Sequence, residues 1–226
     1  MADTVFLLDV DNTLLDNDAI VEDLRRYLIT AFGEECERRY WEIFEELRRS
    51  HSSPNADYLG ALQRYRIERP RDPHLLEISL FLLAYPFADR VYPGAFDVIR
   101  HLRSRGLVVV LSDGDVVFQP RKVERSGLWA AVDGRVLIYI HKEQMLDDVE
   151  RRFPAERYVM VDDKVRILAE MKKIWRDRLT TVFVRQGHYA HDPVLLAVYS
   201  SPDITIERIG DVTKASMNLL GEVGPA

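Results

Sequence analysis

Apolar and polar positions fall in blocks along the chain. Phe6-Leu7-Leu8 is a short apolar run that turns polar abruptly at Asp9-Val10-Asp11-Asn12-Thr13. Such a run, bounded by turn residues, predicts a buried strand. Comparable runs recur at 107–111, 136–140, 157–161 and 180–184, with a shorter one at 204–206. Between them the spacing predicts helices: 95–105 closed by Gly106, 116–126 followed by Gly127, 143–153, one ending near Trp175, and one near 212–220. Strands that alternate with helices predict an α/β fold, a parallel sheet with helices on both faces.

The stretch from Asp18 to Leu83 breaks that alternation and reads as helices throughout. Val21, Leu24, Leu28 and Ile29 recur at helical spacing after Asn17-Asp18, which would cap the helix, and Gly33 closes it. Tyr40, Trp41, Phe44 and Leu47 share the face of a second helix. Ser52-Ser53-Pro54-Asn55 marks a turn, a third helix covers 56–68, and a fourth covers 75–83 beyond Pro70 and Pro73. Four helices are enough for a small bundle. The expected division is an α/β core from residues 1–16 and 89–226, with a helical insertion at 17–88.

Composition narrows the setting. The chain has 226 residues, 47% hydrophobic and 30% charged, the balance of a globular protein with a sizeable core. A single cysteine, Cys36, excludes an intrachain disulfide and suits a reducing compartment. The start, Met1-Ala2-Asp3-Thr4, has no basic n-region, and no apolar run approaches the roughly 20 residues of a membrane helix. A cytoplasmic protein without a membrane partner is the expectation. The net charge of −6 lacks the basic footprint of a nucleic-acid binder. Monomer and homodimer both stay open.

Chemistry collects at the strand ends, where open parallel sheets bind ligands. Asp9 and Asp11 follow the first strand, Ser112 and Asp113 the second, Lys142 the third, and Asp162 and Asp163 the fourth. Singly, each has an ordinary reading. Asp-Asn-Thr forms Asx turns, Ser112 can cap a helix, Lys142 can be solvated, and Asp162-Asp163 can face a helix dipole. Together they make one crevice. Two close carboxylates repel unless a cation or a proton intervenes, and Mg2+ prefers oxygen ligands. A carboxylate can take a phosphoryl group and divide its hydrolysis into two steps. Ser112 can donate a hydrogen bond to that group and Lys142 a positive charge. Asp162 or Asp163, with Asp9, can hold Mg2+, and Asp11 can move protons.

On these residues the sequence resembles the haloacid dehalogenase (HAD) superfamily. Asp9-Val10-Asp11-Asn12-Thr13 matches its first motif, Ser112 its second, Lys142 its third and Asp162-Asp163 its fourth. The helical insertion resembles the family's C1 cap, a lid over a Rossmann-like core. The resemblance implies that Asp9 is the nucleophile, forming an aspartyl-phosphate. It implies that Asp11 is the general acid and base, with its main-chain oxygen on Mg2+. Ser112, Asp113 and Lys142 would form the phosphate site, with Asp113 standing where many relatives carry Asn. The metal set would be Asp9, Asp11, Asp162 and Asp163, with Asp163 direct and Asp162 an outer partner.

Dehalogenases and phosphonate hydrolases of the superfamily lack an acid at the position of Asp11. The resemblance therefore implies Mg2+-dependent hydrolysis of a small phosphorylated metabolite, a phosphomonoester. A phosphosugar mutase resembling β-phosphoglucomutase keeps the same residues and is the alternative. A receiver-like module is disfavoured, because receivers spread their acids over different strands and have no cap. A P-loop is absent, since no Gly-x-x-x-x-Gly-Lys-Ser/Thr occurs.

Weaker candidates remain. Arg48, Arg49, His51, Arg64 and Arg66 can face the substrate from the cap, although a solvated helix face is the ordinary reading. His188 and His191 are spaced for a metal, but loop packing is the expectation. Trp41, Trp129 and Trp175 read as core or interface residues.

Overall fold

The computed structural model describes residues 2–49 and 57–214. The apolar runs form six parallel strands: β1 (Ala2–Leu8), β2 (Leu107–Asp113), β3 (Val136–Tyr139), β4 (Ala155–Asp162), β5 (Leu179–Val184) and β6 (Ile204–Ile206). The sheet order is β3-β2-β1-β4-β5-β6, with every neighbour parallel. Alternation along each strand feeds two cores. Phe6 and Leu8 point to one face with Val108, Val110, Val159 and Val161. Val5 and Leu7 point to the other with Val109, Leu111, Tyr158 and Met160.

Helices cover both faces. On the first lie α5 (Ala95–Arg103), α6 (Phe118–Arg125) and the single turn α7 (Leu128–Ala131). On the second lie α8 (Leu146–Arg152), α9 (Val165–Trp175) and part of α10 (Pro193–Val198). Between β1 and α5 come the four expected helices, α1 (Asn17–Phe32), α2 (Glu34–Arg49), α3 (Tyr58–Glu68) and α4 (Leu75–Ala84). Leu24, Leu28, Tyr40, Ile43, Tyr65 and Ile78 bury their shared interior. The chain leaves and rejoins the core side by side: Asp16 N donates to Arg90 O at 2.7 Å, and Tyr92 N to Leu14 O at 2.9 Å.

Several local expectations change. The cap of α1 is Asp16, whose side chain accepts from Ala19 N, and not Asn17-Asp18. Those two side chains are drawn into contacts with the loop after β1 and with the rest of the core. α6 begins at Phe118, because Asp115 Oδ1 accepts from Val117 N and Phe118 N and holds a turn before it. α8 is shortened by a 3₁₀ turn at Lys142–Gln144. α7 and α10 were not expected, although Asp192-Pro193 is a start signal that caps α10. Trp41 and Trp175 are core residues, whereas Trp129 is 40% exposed. The turn at 52–55, His51 and most of the helix expected at 212–220 lie outside the described residues. No described helix is long and apolar enough to cross a membrane.

β1 is flanked on both sides, and Leu8, fully buried, pairs with Val110 and Val161. Leu8→Ala is expected to cost about 2–5 kcal/mol in urea unfolding. A cost under about 1 kcal/mol would mean that the central strand is not packed as described.

Candidate active site

The register sets the site. Leu8 lies level with Val110 and Val161, so Asp9 emerges level with Leu111 and Asp162, one residue short of Ser112, at the C-terminal end of the sheet. Asp9 N still donates to Val161 O at 3.0 Å. The chain then coils tightly, with Val10 O accepting from the amides of Thr13, Leu14 and Leu15. Asn12 takes φ of 59°, a left-handed conformation that Asn tolerates. Its Oδ1 accepts from Asn17 N and Asp18 N, tying this loop to the first turn of α1.

The segment after β5 clamps the loop from outside. Gln186 Nε2 donates to the carbonyls of Asn12 and Thr13. Gly187 has φ of 69°, and a Cβ there would lie 2.4 Å from the Asn12 side chain. His188 N donates to Asp18 Oδ2, and His188 Nδ1 lies 2.7 Å from Asp18 Oδ1. His188 ties this segment to α1 through Asp18 while its ring stays exposed and lines a cleft, and His191 is exposed.

At the strand ends a buried charge cluster forms. Lys142, 1% exposed, places Nζ 2.5 Å from Asp9 Oδ1 and 2.7 Å from Asp162 Oδ2. Its backbone N donates to Asp113 Oδ1 at 2.8 Å. Asp113 therefore braces the start of the third motif with its carboxylate, and as an acceptor it offers an anion no hydrogen bond. Asp162 Oδ1 accepts from Lys164 N, and Thr13 Oγ1 accepts from Asp163 N. Ser112 Oγ accepts from Gln119 Nε2 at 3.0 Å.

Asp9, Asp162 and Asp163 bring one carboxylate oxygen each within 4.8 Å of one another, the one such cluster among the described residues. Asp9 Oδ2 and both Asp163 oxygens are buried with no hydrogen-bond partner. Burial pushes the Asp9 carboxyl up to about 7, against the pull of Lys142 and with the push of Asp162. Burial likewise holds Asp163 well above the usual range, with Lys164 opposing and Asp162 and Asp9 adding to it. Burial disfavours the Lys142 ammonium, yet Asp162 and Asp9 outweigh it and raise its pKa. Orphaned oxygens on close, hard donors are what a divalent cation would satisfy, so the residues fit Mg2+.

Asp11 turns away from this trio. Lys122 Nζ donates to its Oδ1 at 2.7 Å and to Asn17 Oδ1 at 3.0 Å. The Asp11 side chain is not part of the close carboxylate trio. The sequence pattern does not single out Lys122, Gln119 or Lys164. A signal for Lys122 existed, because it lies four residues after Phe118 on the buried face of α6.

Asp11, Asp113 and Lys164 line a cleft of about 370 Å³ whose other wall carries Arg25, Trp41, Phe44, Arg48 and Tyr58. Arg48 donates to Tyr189 OH, so of the cap arginines named from sequence it reaches the cleft. Arg49 and Arg66 are exposed, and Arg64 pairs with Glu68.

A family profile described as haloacid dehalogenase-like hydrolase matches residues 4–173. The chain belongs to the haloacid dehalogenase-like hydrolases. Its fold is 61% identical in sequence to that of a haloacid dehalogenase-like hydrolase from Burkholderia xenovorans LB400, with a TM-score of 0.92 over 96% of this chain and 98% of that one. L-2-haloacid dehalogenase from Xanthobacter autotrophicus, with chloropropionic acid covalently bound, shares the fold at 16% identity and a TM-score of 0.62, over 98% and 100% of the two chains. A HAD hydrolase from Bacillus subtilis bound to magnesium does so at 15% identity and 0.62, over 96% and 98%. A search of curated proteins returned no match.

The raised carboxyls of Asp9 and Asp163 make stability depend on pH. A carboxyl whose folded pKa is raised stabilises fully below its unfolded pKa, and that contribution is lost as pH rises through the folded value, about 7 for Asp9. Without divalent cations the melting temperature is therefore expected to fall from pH 5.5 to 8.5. Mg2+ should raise it, and more at the higher pH, as preferential binding to the folded state requires. A calorimetric series with no Mg2+ effect at either pH would contradict a cation site here.

Proposed function

We propose that this hydrolase cleaves small phosphomonoesters with Mg2+ and an aspartyl-phosphate on Asp9. One observation carries the reading: a second carboxylate, Asp11, stands two residues after the buried Asp9 and lines the cleft under the cap wall. A group that must be protonated on leaving needs such a residue. A halide leaves without a proton, and the dehalogenases that the sequence resembles lack this acid.

The cluster also supports the reading electrostatically. Asp9, Asp11, Asp113, Asp162 and Asp163 outnumber Lys122, Lys142 and Lys164. A phosphate dianion adds more negative charge, which calls for a cation besides the lysines. Asp9, Asp163 and the main-chain oxygen of Asp11 would hold Mg2+, with Asp162 beside them, and it would supply positive charge to the phosphoryl oxygens.

The chain's own residues account for the remaining steps. Lys142 and the Ser112 hydroxyl hold the phosphoryl group in front of Asp9. An Asp9 oxygen bonds to phosphorus as the ester P–O bond breaks, and Asp11 gives its proton to the departing oxygen. Asp11 then takes a proton from water as that water attacks phosphorus. The bond to Asp9 breaks, inorganic phosphate leaves and the carboxylate is restored. The cap wall excludes bulk water and touches the alcohol half of the substrate.

Phosphate release from sugar phosphates, phosphoglycolate, nucleoside monophosphates and an aryl phosphate tests this reading. Release that needs Mg2+ and disappears in a folded Asp9→Asn variant is the expected result. Unchanged release by that variant, or none by the wild type, would overturn it.

A further inference from the structure

Lys122 is a buried cation that the reaction as outlined leaves unused. It is 1% exposed and its stem lies on the buried face of α6, with Nζ 5.5 Å from the Phe118 ring. Both of its acceptors are fixed. One is Asn17 Oδ1 at 3.0 Å, and Asn17 is itself held by the cap, donating Nδ2 to Tyr58 OH at 3.2 Å. The other is Asp11 Oδ1 at 2.7 Å. The Asp11 side chain is 22% exposed and lines the cleft. It therefore has one oxygen anchored inward and a carboxyl plane set by that anchor.

We propose that Lys122 is the positioning residue for Asp11, fixing which of its oxygens carries the proton that the leaving group receives. An ammonium donates hydrogen bonds and accepts none. While Lys122 points at Oδ1, that oxygen is an acceptor in both states of Asp11, so a proton on Asp11 resides on Oδ2. Oδ2 is the oxygen left to meet the departing oxygen in the cleft. Lys122 does for this acid what the buried carboxylate of a Ser-His-Asp triad does for its histidine: it selects one protonation site and one orientation. Asn17 and Tyr58 carry the same constraint to α3, so the acid is aligned against the cap wall that holds the alcohol half. No proton leaves Lys122 in this role. The proton moves from Asp11 Oδ2 to the leaving oxygen in the first step and from water to Oδ2 in the second.

The role rests on the phosphomonoesterase reading and has a signature that mere structural support lacks. An alkoxide needs the proton as it departs, whereas 4-nitrophenolate leaves without one. The value of kcat/KM reports steps up to the first irreversible one, here formation of the aspartyl-phosphate. It should be measured for alkyl phosphates and for 4-nitrophenyl phosphate in wild type, Lys122→Met and Lys122→Arg. Lys122→Met keeps the apolar stem and removes the donor. The alkyl esters should lose on the order of 100-fold, the scale of general acid catalysis, and the nitrophenyl ester less than about 5-fold. Lys122→Arg, which keeps a cationic donor, should recover most of the loss on alkyl esters. If Lys122→Met does not fold, Lys122→Gln carries the comparison, with the same leaving-group dependence expected. An equal loss on both ester classes, or no loss on either, overturns the positioning role and leaves the phosphatase reading standing. A wild type that hydrolyses neither class overturns both.

Discussion

The structure turns on the burial of carboxylates at one edge of an apolar sheet. Taking an ion out of water costs several kcal/mol unless its charge is met. The sheet meets part of that cost locally. Lys142 spans Asp9 and Asp162, and Lys122 holds Asp11. Asp9 Oδ2 and both Asp163 oxygens stay without a hydrogen bond, within reach of one another. The elements around this point are arranged to keep those groups close in spite of their repulsion. The register of β1 with β2 and β4 is fixed at Leu8, Val110 and Val161, all buried, so the polar ends of the three strands lie close together.

The loop carrying Asp9 and Asp11 is held from three directions. Asn12 binds the start of α1, Gln186 and Gly187 close over the loop from β5, and Thr13 accepts from the Asp163 amide. The same segments reach the cap through Asp18 with His188, Arg48 with Tyr189 and Asn17 with Tyr58. The position of the cap and the geometry of the acid loop are therefore parts of one hydrogen-bonded system. Buried polar networks of this kind favour one arrangement when every member is satisfied. Here the Asp9 and Asp163 oxygens at the strand ends are among the unsatisfied members.

The strands and their polar ends were legible because β-sheet register converts sequence position directly into place. Asp9, Ser112, Lys142 and Asp162-Asp163 each follow a continuous apolar run, and parallel pairing brings such ends together. Lys122 was not legible in that way. It stands among Arg121, Glu124 and Arg125, so its surroundings in sequence read as a solvated helix. Only its phase relative to Phe118 places it inside. Asp16 is hidden as the cap of α1 because Asn17 and Asp18 are equally good capping types, and tertiary partners draw both away. Asp113 is a third case. Its place beside Ser112 suggested the phosphate site, while the structure turns its carboxylate onto the Lys142 amide. Side-chain direction past the end of a strand is set by such partners and not by the two-residue period.

The central claim is that the Asp9 carboxylate carries the phosphoryl group. Intact-protein mass measured on acid-quenched samples, milliseconds after mixing with a turned-over phosphomonoester and Mg2+, tests it most directly. One added phosphoryl group, labile to hydroxylamine as an acyl phosphate is and mapped to the peptide containing Asp9, is the expected result. Phosphate released at full rate while the protein gains no such mass, with the solvent oxygen transferred in a single step and inversion at phosphorus, would contradict it.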